Sequence, residues 1–271
     1  MDNESKTAAQ SLLSEANIPQ ENIDLFLTLV DELNSVPYKG IVEQGWEKAI
    51  IPFFSYNNNN GFAHLAAQEQ ENVIMCRLAA FILLKDHIQF SETDISPNRN
   101  LDNNNRFDFT EEEKLHYDLL FAHVENSNID SSAALAKKVI DYWTMAGIEF
   151  PESCIQFVMA YGNTKNGIQN FHTSIAIYHD DGVWLLEKAD PIHPYQLSCF
   201  SNKEQMIDYM KKRVSEVKYA AVFSNDTCIW KNSPISLAHL YKHTVFSVHN
   251  IAPGIIHTNF LRYNSAEFTN P

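Results

Sequence analysis

The sequence predicts an α+β fold, and three observations carry the prediction. Up to about residue 150 the apolar residues recur at helical spacing. After Phe150 they gather in short β-branched and aromatic runs bounded by turn residues. Within the first regime, "ENVIMCRLAAFILL" carries one charge from Val73 to Leu84 and no Gly or Pro, which predicts a helix buried on most sides and headed by Cys76. Helices first and an antiparallel sheet second make an α+β protein. We read residues 1–271 as a single domain, with a helical part at about 1–150 and a sheet-containing part at about 151–271. With 271 residues, 45% of them hydrophobic, the chain can fill one generous core.

The elements follow in order. "TAAQSLLSEA" is a short amphipathic helix, and "PQENIDLFLTLVDELNSV" opens on Pro19 and acidic residues as a helix start should. "YNNNNGF" reads as a loop by its Asn and Gly content. The Cys76 helix comes next, then "SETDISPNRNLDNNNRFDF", a polar stretch expected to be exposed. Thr110 and Glu113 form a capping box ahead of "TEEEKLHYDLLFAHV". "SSAALAKKVIDYWTMAG" is a helix ending at Gly147 in a C-cap position.

In the second part "CIQFVMAYG", "FHTSIAIYH" and "VWLLEKADP" read as strands, the last two joined as a hairpin by "DDG". Ser201 and Glu204 suggest a second capping box, before "SNKEQMIDYMKKRVSE". "KYAAVFSND" and "TCIWKN" read as further strands, and the tail from Ser233 onward is left unassigned.

Composition removes several function classes. The formal net charge of −14 leaves no basic face for phosphates, so no nucleic-acid partner is expected. Nor does any stretch reach the roughly 18 to 20 apolar residues of a membrane span. Cys76, Cys154, Cys199 and Cys228 are widely spread with no CxxC pair, which suits neither a structural zinc site nor a disulfide framework. The N-terminal "MDNESKTAAQSLLSEANIPQ" has no signal-peptide pattern. Three locations stay open: the cytoplasm, export with the signal already removed, and delivery as a secreted effector.

A catalytic thiol needs a base, and the base needs an orienting group. Cys76 at a helix N-terminus has the position that favours a thiolate. His172 lies near the start of its strand, and counting outward from the "DDG" turn brings it roughly opposite Glu187 to Asp190. Paired residues on one face of a hairpin sit about 5 Å apart at Cβ, so Glu187 or Asp190 is expected to accept the His172 Nδ1 proton. This is the layout of a papain-like cysteine peptidase. Gln70, six residues before Cys76, occupies about the place of such an enzyme's oxyanion-hole glutamine, with Gln68 and Asn72 as alternatives.

Each residue also has a plainer reading. Cys76 as an inert core thiol is the main rival, and His172 with Glu187 would then be a simple cross-strand pair. Cys154, Cys199 and Cys228 read as packing residues in strand-like stretches. His64 and His179 read as surface residues. His239 and His243 have helical spacing but no HExxH glutamate, and neither they nor His249 and His257 are expected to bind metal. Tyr195 and Gln196 read as structural. Arg77 is either a ligand for a substrate carboxylate or a solvated helix edge.

"MCRLAAFILL", "WTMAGIEFPES" and "FHTSIAIYHDDGVWLLEKADPIHPYQLSCFSNKEQMIDYM" together resemble an uncharacterised bacterial domain-of-unknown-function family, often lipoproteins. The resemblance covers about residues 40–230. It implies a papain-like or NlpC-like fold with Cys76, His172 and Glu187 as the triad. The chain departs from the family pattern in lacking an export signal and in having Met75 before the cysteine. The expected activity is hydrolysis of an amide bond in a peptide-like or peptidoglycan-like substrate, with no cofactor and no metal. The alternatives are a Cys-dependent acyltransferase or deamidase, and a non-catalytic binding module on the same scaffold.

Overall fold

The structure, a computed structural model, describes residues 1–35, 76–97, 107–188 and 195–231. The first Asn-rich loop, His64, Gln68, Gln70, Asn72, Asp190 and the tail histidines lie outside the described residues.

Helix α1 (Asn3–Glu15) begins where the Asp2 carboxylate accepts the Ser5 backbone N–H at 2.8 Å, and it buries Ala9, Leu12 and Leu13. That i, i+3, i+4 spacing is the stripe expected of a helix lying on a core. Helix α2 (Gln20–Ser35) buries Ile23, Phe26, Val30 and Leu33 by the same periodicity. Helix α3 (Cys76–Leu84) has no polar face to speak of: every residue from Leu78 to Leu84 is buried. It runs into a 3-10 turn at Lys85–His87 and a two-residue strand, β1 (Gln89–Phe90).

Helix α4 (Glu111–Leu120) carries the expected capping box, with Thr110 and Glu113 each satisfying the other's backbone N–H. Helix α5 (Ser132–Met145) is capped by Ser131 and ends before Gly147, whose φ of +66° is the left-handed turn that glycine adopts without strain. Strand β2 (Ile148–Glu149) then pairs with β1, a small sheet that the sequence pattern did not foreshadow.

The main sheet is antiparallel and six-stranded, in the order β6-β5-β4-β3-β7-β8. Its strands are β3 (Ile155–Thr164), β4 (Gly167–His179), β5 (Gly182–Lys188), β6 (Tyr195–Phe200), β7 (Ala220–Ser224) and β8 (Thr227–Lys231). The fold is therefore α+β with the helices mainly N-terminal and the sheet C-terminal, as the sequence predicts. Helix α6 (Lys203–Arg213) connects β6 to β7. Its cap is displaced by one residue from the expected box: Asn202 accepts from the Gln205 N–H, and the Gln205 side chain accepts from the Ser201 N–H. Asn caps a helix as well as Ser does, so the local sequence supported both starts.

Period-2 alternation gives the sheet two different faces. Phe157, Met159, Tyr161, Ile175, Ile177, Leu186 and Leu197 join the core shared with α1 to α5. Val158, Ala160, Ala176, Leu185 and Val222 join a second core with Met206 and Met210 of α6. A bulge interrupts the β3–β4 register: Ala160 pairs with His172 and Tyr161 with Asn170, leaving Phe171 as the extra residue. Bulges re-aim the side chains beside them, and this one falls immediately before His172.

Candidate active site

Cys76 opens the described part of α3 and is half-buried. The helix packs against β4. Cys76 hydrogen-bonds the His172 side chain and accepts from the Thr173 backbone N–H. Burial alone would push the Cys76 thiol up. The His172 hydrogen bond and positive charge, the Arg77 charge and the Thr173 N–H outweigh it, and the net displacement is downward.

His172 is 5% exposed and Glu187 2%. The regular β4–β5 pairing runs from His179–Gly182 to Ser174–Glu187, a two-residue hairpin closed by Asp180 and Asp181. His172 thus lies diagonally across from Glu187, two residues beyond its direct partner. Alternation puts both side chains on the α6 face, and His172 Nε2 reaches Glu187 Oε2 at 2.8 Å. The atom differs from the expectation that Nδ1 would face the carboxylate. The diagonal approach brings Nε2 to Glu187, which leaves Nδ1 for the sulfur.

Burial would lower the His172 pKa, but the hydrogen bonds to Cys76 and Glu187 raise it further than burial and the Arg213 charge lower it. The local backbone is pinned by Asn170, which accepts from Thr173 Oγ1 at 2.8 Å and donates to the His172 carbonyl at 3.2 Å, spanning the bulge.

Glu187 is held from all sides. Gln196 Nε2 donates to Oε1 at 2.8 Å, Tyr209 Oη donates to the same oxygen, and Arg213 stands 3.6 Å from Oε2. Desolvation alone would raise the carboxyl pKa, yet Arg213, His172 and Tyr209 bring it down to about 2. The group is an anion across the working pH range. Tyr209 and Arg213 were missed by sequence reasoning. They stand one helical turn apart on α6, in "DYMKKR", and their i, i+4 spacing toward the buried face was the available signal.

The remaining candidates separate cleanly. Cys199 is buried in β6, and Cys228 is half-buried in β8. Cys154 is exposed, contrary to a packing role, because it precedes β3 rather than lying within it. His179 is a surface residue at the hairpin, paired with Asp181 at 2.8 Å. Gln196 does more than pack its strand, as its bond to Glu187 shows. A narrow cleft beside Cys76 is lined by Phe26, Ala80, Thr173, Glu187, Lys188 and Tyr195 among others.

An α+β protein with a helix-borne cysteine, a strand histidine and a neighbouring-strand glutamate in one buried hydrogen-bonded line is thereby defined. The chain belongs to the family described as a domain of unknown function, DUF4300, whose model matches residues 1–232. No curated protein and no solved structure matches it.

Proposed function

We propose that this chain is a papain-like cysteine hydrolase that cleaves an amide bond in a peptide-like or peptidoglycan-like substrate. The observation that carries the reading is the continuous line Cys76–His172–Glu187, with the thiol displaced downward and the imidazole upward. Opposite displacements of neighbouring thiol and imidazole favour a thiolate–imidazolium pair, the resting state of a nucleophilic cysteine.

In the reaction, the Cys76 sulfur attacks the amide carbonyl carbon, forming a C–S bond and a tetrahedral oxyanion. His172 donates its proton to the amine nitrogen as the C–N bond breaks, leaving a thioester. Water then attacks the thioester and gives one proton to the neutral His172; the C–S bond breaks, the Cys76 thiolate is regenerated beside the imidazolium, and the carboxylic acid leaves and loses its remaining proton to solvent. Glu187 stays ionised, orients the ring through Nε2 and stabilises the imidazolium. Neither metal nor cofactor enters any step.

The test is to trap the thioester. The protein is incubated with a panel of peptides and of muropeptides, quenched in acid, and its intact mass measured. A mass increase mapping to Cys76, absent in Cys76→Ala and His172→Ala, supports the reading. Noncovalent binding of a panel member with no acyl adduct under any condition selects the binding-module alternative.

A further inference from the structure

Tyr195 is 2% exposed, lines the cleft beside Cys76, and its hydroxyl is one of two buried side-chain polar atoms without a hydrogen-bond partner among the described residues. The other, Asn34 Oδ1, belongs to α2 and is not among the residues lining that cleft. A buried hydroxyl with no protein partner forfeits the bonds it had in water, and among the described residues Tyr195 has none. Its neighbours keep it in place. Phe26 of α2 meets the Tyr195 ring edge to face, with centroids 5.1 Å apart, and Tyr195 pairs with Lys188 at the start of β6.

We propose that the Tyr195 hydroxyl is a catalytic hydrogen-bond donor to the acyl oxygen of the substrate, stabilising the oxyanion that forms when Cys76 attacks. This inference rests on the hydrolase reading above and adds to it the group that receives the developing charge. The position suits the role: Tyr195 and Cys76 line the same cleft, and the Cys76 charge acts on the phenol. Burial first, and that charge second, push the phenol well above its ordinary value, so it remains a protonated donor wherever the thiolate exists. A donor that no described residue engages has no described bond to give up when the oxyanion appears, which is the economy of a preorganised site.

The experiment compares two reactions of the same sulfur. Wild type, Tyr195→Phe and a Cys76→Ala control are treated near pH 7 with p-nitrophenyl acetate and, separately, with iodoacetamide. The ester acetylates Cys76 through a tetrahedral oxyanion: a C–S bond forms, the C–O bond breaks and p-nitrophenolate leaves. Iodoacetamide alkylates at a saturated carbon, and no oxyanion forms.

The expected result is an acetylation rate lowered about 100-fold or more in Tyr195→Phe, alkylation within about twofold of wild type, and an unchanged or higher Tm, since no described residue partners the deleted hydroxyl. Equal acetylation rates in the two proteins overturn the assignment. A parallel loss of both reactions also overturns it, placing Tyr195 on the thiolate instead of the oxyanion, as does a lowered Tm. Wild-type Cys76 that alkylates but is never acetylated leaves the nucleophile standing and removes the donor. Wild-type Cys76 that takes neither reagent defeats the hydrolase reading itself, and the inference falls with it for that separate reason.

Discussion

His172 Nε2 and Glu187 Oε2, both buried, lie 2.8 Å apart on adjacent strands joined by a two-residue hairpin. This contact fixes the imidazole with its other nitrogen toward Cys76, so the chemistry of the sulfur depends on a carboxylate it does not touch. The dependence can be measured. Glu187→Gln keeps the shape but removes the charge that Arg213 and His172 face. The cost to stability should be about 3 kcal/mol, as when one partner of a buried ion pair is deleted. With its acceptor weakened, the His172 pKa falls, and Cys76 alkylation near pH 6 drops about tenfold, one pKa unit's worth. Stopped-flow alkylation and urea unfolding check the two halves separately.

Acid should weaken the protein through the same carboxylate. Glu187 has its folded pKa depressed from 4.5 to about 2, so its contribution is fully present above 4.5 and is lost as pH falls toward 2. The amount at stake is about 3 kcal/mol, given 1.36 kcal/mol per unit. Arg213→Met removes the largest of the influences that lower the value, so the acid-unfolding midpoint should move upward, toward 4.5. Circular dichroism at stepped pH follows it. An unmoved midpoint would show that His172, Tyr209 and Gln196 suffice without Arg213.

The hairpin that sets the register has its own weak point. Gly182 sits at φ +144°, and a Cβ there would collide with the Phe200 carbonyl on β6. Gly182→Ala should therefore cost about 2 kcal/mol or more, read as a lower midpoint in urea. Thr110→Ala, which removes half of the α4 capping box, should cost about 1 kcal/mol and leave Cys76 alkylation unchanged. Together the two variants separate damage to the site's frame from damage to the fold at large.

Much of this arrangement was legible in the sequence, because the strongest signals were local. The apolar run from Val73 to Leu84, the Thr110–Glu113 box, Gly147 and the "DDG" turn each act within a few residues, and the elements they mark are present where the structure describes them. Counting from the turn also placed His172 near Glu187. The pairing atom escaped, because it depends on the diagonal offset and on the Phe171 bulge, which no residue count reveals. The supports of Glu187 escaped as well. Tyr209 and Arg213 come from a helix on the far side of β6 in the chain, and only the folded sheet brings α6 over that carboxylate. The β1–β2 pair was invisible for the opposite reason: two residues on each strand carry no periodicity to detect.

The most direct test of the account is the pH dependence of Cys76 alkylation in the native protein, followed by peptide mass mapping. Exposed Cys154 serves as the internal reference for an accessible thiol. The thiol is displaced downward and the imidazole upward, so the reactive pair should exist from below the ordinary thiol range until His172 loses its proton. Fast labelling of Cys76 near pH 6, faster than that of Cys154 and abolished by His172→Ala, is the predicted result. A Cys76 that stays unlabelled until the protein is denatured would contradict it and make this cysteine a packing residue of a buried helix.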